Sequence, residues 1–327
     1  RVHVGDDEAL AFRWRRADAE RLAFTGGSDW TTLTVEDRAE LTAPTRFGFW
    51  ALWVIRHLVE PFERGVRARL PGAGSAHRMV LERPVTALQY NLDGYMFAGE
   101  LRPLGFVESA MYPGTQAFMR FAYPCNLPDA GRVRALAVAR RFLQAVGFTH
   151  GLFNMEFFYD AASDRLTVIE FNPRMAAQFS DLYLRVDGID LHRIALELAF
   201  GRDPALLPRA EPVAGAAASF VYRSFDPAAR PPMPGHARQD TLARRFPDAM
   251  LFSFPKTPGQ IVRDFKWLGS YRYGILHLGG RDAHDLRARC AEASRLLGWP
   301  TPCARHDVET NDASPYPTPA FSLETFR

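Results

Sequence analysis

Between Gly151 and Asn172 the chain alternates apolar and polar residues twice, on either side of the polar turn Asp160-Ala161-Ala162-Ser163-Asp164. A period of two is the spacing of an extended strand with one buried face, so this stretch is confined to an antiparallel hairpin, with strands over 152–159 and 166–171. Met155, Phe157 and Tyr159 on the first strand, and Thr167, Ile169 and Phe171 on the second, are expected to enter a core. Asn154, Glu156, Glu170 and Asn172 then share the opposite face. If Asp160 pairs with Leu166, the same register sets Glu156 opposite Glu170 and Asn154 opposite Asn172, each pair about 5 Å apart. Opposed carboxylates destabilise a sheet unless a cation lies between them. With a neighbouring amide oxygen they make an all-oxygen cradle suited to Mg2+, which keeps several waters and borrows phosphate oxygens. The pattern points to a nucleotide or another phosphorylated ligand.

The rest of the chain arranges itself around this hairpin. A long helix is expected from Phe47 to Leu70, and an antiparallel meander from Met79 to Tyr112 with turn signals at Asp93-Gly94 and Ala98-Gly99-Glu100. Arg132 to Val146 has helical spacing and stops at Gly147, and a further helix is expected from Asp190 to Phe200. The proline- and alanine-rich segment 204–218 reads as a linker. Beyond it, strands over 219–225, 249–254 and 273–278 and a helix over 284–297 make a small α+β unit, residues 219–300, ahead of an irregular tail, 301–327.

Composition narrows the partners. The 327 residues are 47% hydrophobic and 24% charged with a net charge of +3, an ordinary globular balance without the cationic surplus that draws a chain to nucleic acid. The apolar run from Phe47 to Ile55 is stopped by Arg56 and His57, short of the roughly 20 residues that span a bilayer. Three scattered cysteines form neither a disulfide framework nor a zinc site, which fits a cytoplasmic location. The chain opens on Arg1 instead of methionine and has no apolar export segment, so its start is expected to be a truncation point.

With Glu156 and the run Glu170-Phe-Asn172-Pro-Arg174 in place, the sequence resembles the ATP-grasp superfamily, which includes biotin carboxylase and the carboxylate–amine ligases. The resemblance covers about residues 79–298 and implies an α+β fold, an antiparallel sheet with flanking helices, incomplete at its N-terminus and followed by a small closing domain. Residues 1–78 would then be a remnant of the first grasp subdomain, and 79–203 the core subdomain. It implies that Glu156, Glu170 and Asn172 hold one or two Mg2+ ions bridging the phosphates of ATP, with Arg174 neutralising charge on the transferred phosphoryl group. Val80-Leu-Glu82-Arg83-Pro-Val85 looks like the hinge strand that meets adenine, so Glu82, Arg83, Val85, Gln89 and Asn154 are the implied ATP contacts. Arg83 and Gln89 stand where the family commonly has lysine and glutamate. The implied partners are a small-molecule carboxylate and an amine, with neither nucleic acid nor membrane among them; assembly into a homo-oligomer is left open.

Other residues carry weaker signals. Gly26-Gly27-Ser28 reads as an ordinary turn, Gly279-Gly280 as a turn before the last helix, and His150 as structural, while Arg120 and Arg223 are candidates to face a substrate; Asp93, Gln116 and Arg272 are further candidate site residues. A rival reading is a non-catalytic ATP-grasp remnant that binds a nucleotide or a protein partner, favoured by the absence of lysine before Lys256.

Overall fold

The computed structural model describes residues 2–3, 10–14, 22–26, 81–82, 85 and 87–302. The chain divides at Val85 into two compact units. In the first, β1 (Val2–His3) runs parallel to β4 (Leu81–Glu82), and β2 (Leu10–Trp14) pairs antiparallel with β3 (Leu22–Gly26). The helix expected over 47–70, residues 27 and 28 of the glycine turn, Arg83 and the tail beyond 302 lie outside the described residues.

The second unit is built on one antiparallel sheet. Its strands are β5 (Leu88–Phe97), β6 (Glu100–Met111), β7 (Phe118–Tyr123), β8 (Gly151–Asp160), β9 (Arg165–Asn172), β10 (Ala216–Ser224), β11 (Met250–Ser253) and β12 (Tyr271–Gly280). They lie side by side in the order β11-β12-β10-β7-β6-β5-β8-β9. Ala98 and Gly99 join β5 to β6 with φ of 49° and 82°, the left-handed pair that suits a two-residue hairpin. Asp93-Gly94, expected to turn the chain, instead sits inside β5 at a register shift against β6. Glycine is needed there for packing: a Cβ on Gly94 would stand 2.7 Å from Phe153 Cζ and 2.8 Å from the Arg102 carbonyl oxygen.

The expected linker does not set the C-terminal α+β portion apart. After a short turn at Pro204–Leu206 the chain enters β10, which pairs with β12 on one side and with β7 on the other, Ala217 opposite Tyr123 and Phe220 opposite Arg120. A strand buried on both faces, as β10 is almost throughout, has to be an inner strand, and that joins the two portions into one sheet.

Among the described residues, six α-helices cover the sheet. On one face α1 (Asp129–Ala145) lays Ala135, Ala139 and Leu143 over Leu92, Met155, Phe157 and Tyr159. On the same face, α4 (His236–Arg245) and α6 (Ala283–Leu297) bring Leu242, Phe246, Leu286 and Cys290 against Phe220, Tyr222, Leu276 and Leu278, with Ile261 of α5 (Pro258–Leu268). The other face carries Val107, Phe121, Val221 and Ile275 beneath Leu182 and Tyr183 of α2 (Ser180–Asp187) and Ile194 and Leu198 of α3 (Leu191–Ala199). Each fully buried large side chain contributes on the order of 1.5–3 kcal/mol of transfer free energy, so both faces are held chiefly by apolar burial. Asp190 starts α3 by accepting from the backbone of His192 and Arg193, and Asp282 starts α6 by accepting from Asp285. Among the described residues no helix is long and apolar enough to cross a membrane.

Candidate functional site

The β8–β9 hairpin differs from its simplest register in one residue. Asp160 pairs with Arg165 and Tyr159 with Leu166, one step from the expected pairing; a bulge after Phe157–Val168 then restores Glu156 opposite Glu170, Met155 opposite Phe171 and Asn154 opposite Asn172. The extra residue is Ile169, which is 42% exposed, while Leu166, Val168 and Phe171 pack against the core. The expectation that Thr167 and Ile169 turn inward is thereby corrected: a bulge interrupts the period of two, so residues on its turn side change face.

The two carboxylates are held by amides. Gln89 Nε2 donates to Glu156 Oε2 at 3.0 Å, and Asn172 Nδ2 donates to Glu170 Oε1 at 2.8 Å. Burial raises the Glu156 pKa, the facing Glu170 raises it further, and Arg174 opposes both. Arg174 is exposed in the loop after β9. Among the described residues no group of three or more His, Cys, Asp or Glu side chains gathers to hold a metal ion. Two carboxylates with the Asn172 amide oxygen nevertheless match what Mg2+ accepts, since the remaining positions go to water and phosphate oxygens.

Beside the acidic pair, on the neighbouring strand, lies a buried polar row. β5 presents Gln89, Asn91 and Asp93 at alternate positions, opposite Phe158, Glu156 and Asn154 of β8. All three are at most 5% exposed. Asn154 Nδ2 donates to Asp93 Oδ1 at 3.1 Å and to Asn91 Oδ1 at 3.3 Å; Asn91 Nδ2 donates to Ser109 Oγ at 2.7 Å; and the Tyr183 hydroxyl donates to Asp93 Oδ2 at 2.7 Å. Burial pushes the Asp93 carboxyl up to about 7 against the pull of those two donors and of Arg174. Sequence reasoning named Asp93 but read it mainly as a turn, and gave Asn91, Ser109 and Tyr183 no role. The polar residue at every second position of β5 was the signal available for Asn91; Tyr183 had none.

The weaker candidates separate. His150 shares a 2.9 Å hydrogen bond with the Leu198 carbonyl and lies against the Phe97 ring, so it ties β8 to α3. Arg120 donates to Glu108 at 3.1 Å on the face of the sheet away from Glu156. Arg223 stands opposite Arg272, with its Nε donating to Ser270 Oγ at 3.1 Å and the Arg272 guanidinium 4.5 Å over the Phe254 ring. Burial lowers the pKa of both, Arg223 further through Arg272. Gln116 is exposed between β6 and β7, and Gly279 and Gly280 end β12 instead of forming a turn. Glu82 lies in β4 and Val85 ends the first unit.

No family model matches the chain. Over 145 residues, 43% of its length, it is 33% identical to carnosine synthase 1 of Gallus gallus, and it spans 15% of that relative. Among solved structures, the L-amino acid ligase from Bacillus licheniformis superposes with a TM-score of 0.51 at 14% identity, over 66% of this chain and 52% of that one. The biotin carboxylase–βγ-ATP complex from Campylobacter jejuni does so with a TM-score of 0.50 at 14% identity, over 86% of this chain and 55% of the other. The chain thus spans about half the length of these solved structures. Together with the antiparallel sheet and the helices on its two faces, these likenesses establish that the chain has the ATP-grasp fold.

Proposed function

We propose that this chain is the nucleotide-handling part of an ATP- and Mg2+-dependent carboxylate–amine ligase that works through an acyl phosphate. The observation that carries the reading is Glu156 directly opposite Glu170, with Asn154 and Asn172 paired beside them. Glu156, Glu170 and Asn172 would hold one or two Mg2+ ions, whose chemistry is to neutralise the ATP phosphates. Asn154 and Gln89 border the same face, and Glu82, Arg83 and Val85 are assigned to the adenine end by the sequence resemblance alone.

In the reaction, an oxygen of the substrate carboxylate bonds to the γ-phosphorus as the bond to ADP breaks. The amine then attacks the acyl carbon, phosphate leaves with the former carboxylate oxygen, and the amine loses a proton. The Arg174 guanidinium would balance charge on the phosphoryl group. Arg223 and Arg272, two arginines without a carboxylate ion pair among the described residues, are proposed to receive the acid or its acyl phosphate. The names of the carnosine synthase and the L-amino acid ligase make amino acids the first substrates to try.

Calorimetry of the chain with MgATP tests the reading. Mg2+-dependent heat that Glu170→Gln abolishes is expected; equal heats from the two proteins, or none at millimolar nucleotide, would remove the proposal and leave a non-catalytic scaffold.

A further inference from the structure

We infer that Asp93 is a positioning residue, fixing the Asn154 amide and, through Tyr183, the helix that follows the Arg174 loop, so that the Glu156–Glu170 face is shaped before any ion or nucleotide arrives. The inference rests on the proposed nucleotide and Mg2+ reading of that face.

Asp93 is 2% exposed and lies on the same face of the sheet as the acidic pair. Its two carboxylate oxygens are divided between two elements: Oδ1 accepts from Asn154 of β8 and Oδ2 from Tyr183 of α2. Asn154 spends both amide hydrogens inward, one on Asp93 and one on Asn91, so its amide oxygen is the atom it can offer to a ligand. Asn154 precedes Glu156 by two residues and faces Asn172, so the orientation of its amide sets the polar surface beside both carboxylates. Tyr183 is completely buried and belongs to the helix that starts at Ser180, six residues after Arg174. One carboxylate therefore joins the strand that carries Glu156 to the element behind the loop that carries Arg174.

A glycine makes this link possible. A Cβ on Gly105, the β6 residue opposite Asp93, would run into the rings of Tyr183 and Tyr123. Burying a carboxylate without a cation partner costs stability. A core serving shape alone would place an apolar residue at position 93; the price is consistent with orienting polar groups at a site.

The test compares wild type, Asp93→Asn and Tyr183→Phe in three measurements: thermal unfolding, nucleotide affinity in EDTA, and the Mg2+ concentration that half-saturates the Mg2+-dependent gain in ATP affinity. Groups behind a metal site commonly change its affinity by 10–100-fold, so a rise of about tenfold in the Mg2+ midpoint is expected for both variants, with little change in EDTA affinity and a cooperative melt showing that each variant is folded. Should Asp93→Asn fail to fold, Tyr183→Phe, which removes a single hydroxyl, decides alone. Wild-type Mg2+ midpoints in the variants, or losses equal in EDTA and Mg2+, would overturn the positioning role while leaving the nucleotide reading intact. Absence of Mg2+-dependent binding in wild type itself would remove both.

Discussion

Glu170 faces Glu156 across a strand pair in which β9 carries one extra, unpaired residue, the bulged Ile169, between the Glu156–Glu170 and Phe157–Val168 pairs. Glu170 thus lies on the edge strand beside the bulge, and Glu156 opposite it on the next strand in, a setting in which a bulge re-aims side chains.

Removal of one charge should separate stability from ligand response. Glu156→Gln relieves a like-charge pair and is expected to stabilise the ligand-free chain slightly, by about 0.2–1 kcal/mol on the scale of cross-strand pairs. It should also abolish the rise in melting temperature that MgATP gives wild type. A variant that melts lower than wild type and still responds to MgATP would contradict the cradle.

The Asp93 carboxyl gives stability a definite pH dependence. Its pKa rises from 3.8 to about 7 on folding, so its contribution is fullest below pH 3.8 and is lost as pH rises through about 7. The facing groups are Tyr183 and Asn154, which donate to it, with Arg174 lowering and Glu156 raising its pKa. Melting temperatures should decline between about pH 4 and pH 7 and level off above that, and Asp93→Asn should flatten that decline. An unchanged slope in the variant would assign the dependence elsewhere.

Arg223 and Arg272 make the opposite kind of like-charge pair at the β10–β12 register shift. Arg223→Gln is expected to raise stability by a few tenths of a kcal/mol, the scale of opposed like charges. It should also weaken stabilisation by inorganic phosphate. Melting with and without phosphate checks both signs; equal phosphate protection would exclude Arg223 as an anion contact.

Packing predicts a contrast within one hairpin. Phe157 is fully buried against Tyr90, so Phe157→Ala should cost about 3–5 kcal/mol in urea unfolding. Ile169→Thr, at the exposed bulge, should stay within about 0.5 kcal/mol. A large loss from Ile169→Thr would mean that the residue is packed.

The hairpin was legible because alternation survives wherever one face is buried: Met155, Phe157 and Tyr159 could be placed by counting, and so could Glu156 opposite Glu170. The bulge was not, since a single inserted residue changes the count without changing composition. Asp93-Gly94 misled for a related reason. The pair commonly turns a chain, but here the glycine clears Phe153 and the carboxylate is held from α2, a partner 90 residues away that no local pattern discloses. β7 escaped notice because Phe118–Tyr123 is short and carries Arg120, and α4 because its sequence is mostly polar. The continuity of the sheet through β10 depended on pairing with β7, a long-range choice that the proline-rich approach to Ala216 concealed.

β9 is the outermost strand of its sheet, and among the described residues no strand flanks its far rim. An open rim of regular backbone is a template for another chain to add to, and natural sheets blunt it with kinks and charges. Ile169 kinks this one, Arg165 and Glu170 place charges along it, and Pro173 follows immediately. The irregularity beside the Glu156–Glu170 pair is thus also of the kind that makes a rim a poorer template for strand addition than a regular ladder would be.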